Sequence, residues 1–182
     1  MVGCVDGVLL PALHELNRLK AAGQRDPGHA LIATEAVRAW LNHRGCLAPP
    51  PYEMGPVLLA CGPRDRQMVG IESLALLLRL QRWPCRILGT RVSTFTLTVA
   101  AQAADAIGVV VTCYEGRARP AAVVSLRAVD ALGIPVFFSG AAFESPGVRQ
   151  ELPGRYLGTR AEGACMIITT SLAASLSRFD AV

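Results

Sequence analysis

Aromatic residues make up only 5% of the 182-residue sequence and charged residues only 18%, against 52% hydrophobic. So little charge with so much apolar content excludes a disordered chain and leaves ample material for a core. With few aromatics, Ala, Leu and Val must fill the interior, which suits close layers of helix on sheet. Long apolar runs are also missing. The longest, such as Gly108 to Cys113, fall far short of the ~20 residues that a membrane-spanning helix needs. The six cysteines, at positions 4, 46, 61, 85, 113 and 165, show no metal-finger spacing, and no signal peptide precedes them. They read as reduced thiols of a soluble, cytoplasmic protein. Met1 to Asp6 lacks a basic flank and a cleavage site, so export is not expected. Basic blocks are absent too. The formal charge is +4 and the arginines are scattered, which describes a solvated surface rather than a nucleic-acid arm. No helix-turn-helix is evident, so direct DNA binding by this chain is not expected, nor is membrane attachment.

Two kinds of pattern fill the chain. Leu9, Leu13, Leu16 and Leu19 recur at helical spacing up to a stop at Gly23. Asp26-Pro27 then starts a second helix, with a capping acid followed by a proline at the first helical position. Its stripe is Ile32, Ala36, Val37, Trp40 and Leu41, and Gly45 ends it. Ala48-Pro49-Pro50-Pro51 is a stiff linker. Residues 1–50 therefore read as a short helical cap with its linker, and residues 51–182 as an α/β domain.

In the second part, strands are predicted at Val57–Cys61, Arg86–Leu88, Val109–Thr112, Pro135–Phe138 and Tyr156–Leu157. Helices are predicted at Ile71–Trp83, Thr96–Asp105, Pro120–Leu132, in a short piece ending near Leu152, and over Arg160–Leu176. On propensity alone, Cys165 to Ile168 would also suit a strand. Five strands alternating with helices predict a doubly wound, five-stranded parallel sheet of Rossmann-like type. Such sheets bind ligands beyond the carboxyl ends of their strands, near the switch point. This brings together the loop Gly62 to Gly70, the segment Thr112-Cys113-Tyr114, and Ser139-Gly140.

Those three segments resemble the B12-binding domain family. Its first loop carries Asp-x-His-x-x-Gly, followed at fixed spacings by a Ser or Thr with a second residue two positions on, and then by a Gly-Gly pair. Here Asp65-x-Gln67-x-x-Gly70 is followed after 41 residues by Thr112-x-Tyr114, and after 24 more by Ser139-Gly140. Gly140-Ala141-Ala142-Phe143, Leu152 to Gly158 and Ala75 to Arg79 are similar to the light-sensing half of MerR-type, B12-dependent regulators. In that group a helical bundle precedes the B12 domain, and Gly23 and Arg38-Ala39-Trp40-Leu41 fit its last part.

The resemblance implies cobalamin as cofactor, bound by Asp65, Gln67, Gly70, Thr112, Tyr114, Ser139 and Gly140, with no catalytic residue and no protein metal ligand. In the family the loop histidine coordinates cobalt from below. Gln67 stands in its place, and an amide is a far poorer ligand than imidazole. Ungapped alignment puts Lys20 at the family's upper-face Trp, and Ala30 and Leu31 at its Glu-His pair. His29 lies two residues from that point.

Three functions follow. The first is a sensory or regulatory domain that binds cobalamin without a histidine lower ligand and signals through homo-oligomerisation or a regulatory protein partner. The second is a B12-type fold that binds or transforms another small molecule in the cleft between cap and sheet. The third is a ligand-free interaction module. Asp65 either caps the following helix or braces its loop, or it serves the cofactor. Cys61 and Cys113 are either core thiols or thiolates facing the site.

Overall fold

The protein is described by a computed structural model covering residues 2–24 and 26–179. The first helix starts earlier than its leucine spacing predicts. α1 (Val2–Cys4), a π-helical turn (Val5–Leu9) and α2 (Leu10–Ala21) follow one another without leaving helical backbone. Gly23, at φ +69°, stops the run, a conformation that glycine adopts without steric cost. α3 (Pro27–Cys46) begins as predicted: Asp26 Oδ1 accepts the Gly28 N–H at 2.7 Å, and Pro27 occupies the first turn. The proline linker then runs along the domain rather than hanging free. Arg82 Nε donates to the Pro50 carbonyl at 3.0 Å, and the Tyr52 N–H donates to the Arg82 carbonyl at 2.9 Å.

The sheet comprises β1 (Val57–Cys61), β2 (Cys85–Gly89), β3 (Gly108–Thr112), β4 (Val136–Ser139) and β5 (Arg155–Tyr156). All neighbours are parallel, in the order β2-β1-β3-β4-β5. The intervening helices are α4 (Val69–Leu80), α5 (Thr94–Ala103), α6 (Arg119–Asp130), α7 (Pro146–Arg149) and α8 (Ala161–Phe179). The piece expected to end near Leu152 divides into a 3-10 turn at Ala141–Phe143 and the single turn of α7. Pro146 lacks the N–H that would continue a helix. Cys165 to Ile168 is helical despite its strand propensity, because Cys165 and Ile168, three residues apart, both lie on the buried face of α8.

Alternation along β1 assigns the layers. Val57, Leu59 and Cys61 pack with α4, α8 and the cap, whereas Leu58 and Ala60 pack with α5 and α6. Helices on both faces make the sheet doubly wound, and chain progression reverses between β1 and β3. Full burial of each core leucine contributes roughly 1.5–3 kcal/mol, and Leu58, Leu59, Leu76, Leu78 and Leu126 are all at most 1% exposed.

The cap is fastened by apolar and polar contacts. Val5 and Leu41 belong to the core cluster of the α4 face. Arg38 of α3 grips the buried Glu72 of α4, Nε to Oε2 and Nη2 to Oε1 each at 2.9 Å, and also reaches Glu35. Asp6, in the π-helical turn, accepts the Ala161 and Glu162 N–H groups at 2.9 and 2.8 Å and so caps α8. Among the described residues no helix is long and apolar enough to cross a membrane.

Candidate functional site

A cavity of about 920 Å³ lies between the cap and the carboxyl ends of the strands. This is the upper part of the size range for small-molecule sites. α2 and α3 form one wall, the loop into α4 another, and the segments after β3, β4 and β5 the remainder.

Asp65 holds this arrangement without lining the cavity. Its side chain is buried (1% exposed). Oδ2 accepts the Tyr114 N–H at 2.6 Å and Oδ1 the Gln67 N–H at 3.0 Å. One carboxylate therefore bolts the loop after β1 to the loop after β3, through charge-assisted hydrogen bonds. Gly140, at φ +109°, also serves the scaffold. A Cβ there would collide with the Cys113 backbone, so only glycine permits this approach of the β3 and β4 ends.

The other five expected residues line the cavity: Gln67, Gly70, Thr112, Tyr114 and Ser139. Gln67 is exposed on the loop. Gly70 makes room for a neighbour, since a Cβ on it would strike the Tyr114 hydroxyl. The Tyr114 phenol is pushed up to about 12, by burial first and by the Asp65 carboxylate second, so at neutral pH it is a neutral hydroxyl. Ser139 Oγ donates to the Gly158 carbonyl at 2.9 Å and fixes the segment after β5. Thr112 is 3% exposed, and its hydroxyl lies against the Cys61 thiol rather than open to the cavity.

Cys61 and Cys113 end in the core, outside the cavity lining. Burial pushes each thiol up to about 11, which the Thr112 hydroxyl moderates for Cys61. Cys61 Sγ donates to the Gln67 carbonyl and Cys113 Sγ to the Glu115 carbonyl, both at 3.4 Å. Both are protonated core thiols at neutral pH, not thiolates facing the site.

The cap contributes differently from its sequence pattern. Its wall is built from positions along α2, from Leu10 to Ala21, and from Thr34, Glu35 and Arg38 of α3. Of the two residues at the family's Glu-His position, Ala30 is buried and Leu31 is 63% exposed. Neither of them lines the cavity, and nor does His29. The histidine that does is His14. None of His14, Arg66 and Arg160, all of which line the cavity, is a fixed position of the motif that marks the site in the sequence. Nothing in helical periodicity shows which polar residues of a helix face a cavity and which face open water. Among the described residues no group of three or more His, Cys, Asp or Glu side chains could hold a metal ion.

No protein-family description and no curated sequence matches the chain. Solved structures do. The monomethylamine corrinoid protein of Methanosarcina barkeri superposes with a TM-score of 0.67 at 12% identity, over 89% of this chain and 80% of that one. The methanol:cobalamin methyltransferase complex MtaBC from Methanosarcina barkeri gives 0.56 at 19% identity, over 94% and 67%. A cobalamin-binding protein from Desulfitobacterium hafniense DCB-2 gives 0.55 at 13%, over 92% and 83%. The fold is the B12-binding, Rossmann-like fold. Its helical N-terminal part superposes with the rest, given how much of the chain the matches cover.

At such low identity the site residues must be judged on their own chemistry. The cavity is large, it sits at the carboxyl ends of the strands, and polar side chains such as Gln67 and Tyr114 line it. These features suit a large ligand rich in hydrogen-bonding groups, as a corrinoid is. Gln67 can hydrogen-bond such a ligand through its amide, but it offers no imidazole to cobalt.

Proposed function

We propose that this chain is a sensory or regulatory domain that binds a cobalamin-class corrinoid between its cap and its sheet, without a histidine lower ligand. The carrying observation is the open cavity of about 920 Å³ between the cap and the carboxyl ends of the strands. Gln67, Thr112, Tyr114 and Ser139 would hold the ligand from the sheet side, and α2 would cover it. Asp65 and Gly140 keep the floor in place. The group supplies redox and light-absorbing chemistry when bound, and the residues around it supply position and exclusion of water.

A signalling role follows from where the cavity lies. A ligand seated there touches both the cap and the domain, and any ligand that favours one cap position over another shifts that equilibrium. Assembly into homo-oligomers, or onto a regulatory protein, is the output this reading assigns. Mixing the protein with hydroxocobalamin or adenosylcobalamin tests the binding step. A shifted visible spectrum and a saturable heat near 1:1 are expected, with a change in mass by light scattering on ligand addition. Spectra that simply add, with no heat, would remove the cobalamin reading.

One observation favours a second reading, a B12-type fold serving another small molecule. Tyr114 sits directly over Gly70, so its phenol takes up space beside the loop where Gln67 replaces the histidine. The ligand-free reading suits the geometry less well, because the cleft is open rather than filled by side chains.

A further inference from the structure

The outer surface of α5 and α6 is apolar where a surface helix pair is ordinarily polar. α5 carries no charged residue along its ten positions, whereas α4, buried between sheet and cap, carries Glu72 and Arg79. A helix without a charged face belongs in a packed interior. α5 buries one side, through Leu97 and Ala101, and turns Phe95 (77% exposed) and Val99 (46%) to solvent. α6 adds Val124, 58% exposed. The Thr94 and Ser125 hydroxyls bond each other at 2.8 Å, which pins the two helices together and sets their neighbours Phe95 and Val124 on one shared surface. An exposed apolar patch of this kind marks a contact site.

The charges around the patch identify what it contacts. α5 and α6 both return from the carboxyl ends of parallel strands to the same face of the sheet, so they run side by side in one direction. Neither has an acid in its first turn. Arg91 stands just before α5, and Asp105 and Asp130 stand at the carboxyl ends of α5 and α6. All three are exposed and have no ion-pair partner among the described residues. Arg127, one turn before Asp130, adds a further free cation. Acids at carboxyl ends meet the negative pole of their own helix, the less favourable arrangement. A face that is positive at one end, negative at the other and apolar between matches a copy of itself turned end for end.

We infer that the α5–α6 face is a self-association surface, on which a second copy of this chain packs about a two-fold axis that crosses the helices. α5 then faces α5, and α6 faces α6, each pair antiparallel. Phe95, Val99 and Val124 are buried at the centre. Arg91 of each copy approaches Asp105 of the other, and Asp130 approaches the positive amino end of α6. The face lies across the sheet from the cap, so the dimer leaves the cavity open. The inference gives a surface to the homo-oligomer of the proposed function and rests on that part of it, whatever the cavity holds.

Sedimentation equilibrium of the full chain without ligand tests this, and a reversible dimer is expected. Phe95→Glu and Val124→Glu, on different helices, should each raise the dissociation constant at least about thirtyfold. Ile32→Glu on α3 and Met166→Glu on α8 alter exposed apolar positions elsewhere (69% and 62%). They should leave the constant within about twofold. Arg91→Asp and Asp105→Arg should each weaken the dimer severalfold, and the two combined should restore it, because the pair is then reversed on both sides.

A monomer at millimolar concentration would overturn the inference, even if another protein bound the face. So would a dimer that survives Phe95→Glu and Val124→Glu, or one lost equally in the two control variants. A combined charge reversal no better than either single change would refute the antiparallel arrangement. Absorbance of hydroxocobalamin added to the same samples separates the two claims. Corrinoid bound by a monomer defeats this surface and keeps the corrinoid reading, and a dimer that binds no corrinoid does the reverse.

Discussion

Truncating Arg38 to alanine would leave the Glu72 carboxylate, 4% exposed, without the cationic partner that Arg38 gives it across the junction of cap and domain. Arg38 holds Glu72 through Nε and Nη2 at 2.9–3.1 Å and is itself 30% exposed. The Glu72 carboxylate, as the largest influence, keeps the guanidinium protonated well above its ordinary range. Breaking a buried pair by removing one partner typically costs ~3–5 kcal/mol, because a charge is left uncompensated. Water already reaches the guanidinium side, so the lower end of that range, about 3 kcal/mol, is expected. For a chain of this size that corresponds to a fall in Tm of about 6–12 °C. A double-mutant cycle with Glu72→Gln, followed by calorimetry, isolates the pair. Arg38→Ala should be markedly less costly in the Glu72→Gln background, with a coupling of at least ~2 kcal/mol. A coupling near zero would mean that Glu72 is solvated in the folded protein, and the account of how the cap is fastened would be wrong.

Asp6→Ala removes the cap that α8 receives across 155 residues of sequence and should destabilise by ~1–2 kcal/mol in denaturant titration; Asp6→Asn should lose less. Gly70→Ala forces the Tyr114 hydroxyl aside at a cost of ~1–3 kcal/mol, and the same change in a Tyr114→Phe background should cost less, because the clashing oxygen is gone. Thr112→Val removes a buried hydroxyl that lies against the Cys61 thiol. The exchange keeps the shape of the side chain, so it should cost about 0.5–1.5 kcal/mol in denaturant titration, and unchanged stability would show that the hydroxyl makes no bond within the protein. Thiol titration should modify exposed Cys46 promptly and reach Cys61, Cys113 and Cys165 only on unfolding. These three thiols titrate near 11 when folded against a reference of 9.0. Their folded values are raised, so the stability they contribute is complete below about pH 9 and is lost as pH rises towards 11. Urea midpoints measured from pH 8 to 11 should fall accordingly, and flat midpoints would contradict the burial of the thiols.

The parallel sheet was legible in the sequence because each strand is a short buried run and each helix repeats its apolar positions at its own period. Strand alternation even assigns Leu58 and Leu59 to opposite layers. Asp65, Thr112 and Ser139 were legible as a constellation because topology alone brings the ends of β1, β3 and β4 together. What each of them does was not legible. Asp65 could brace a loop or serve a ligand, and only the 2.6 Å contact with the Tyr114 amide, formed across 49 residues, shows that it braces. The capping of α8 by Asp6 and the choice of His14 over His29 at the cavity depend on how the cap seats against the sheet. Local periodicity carries no information about that docking, because it is fixed by long-range contacts such as Arg38 with Glu72. The chain by itself thus determined its elements, their order and the edge of the sheet where a ligand belongs. Tertiary packing decided which polar groups, like the Asp65 carboxylate, are consumed in holding that edge together and which, like the Gln67 amide, are left to line the cavity.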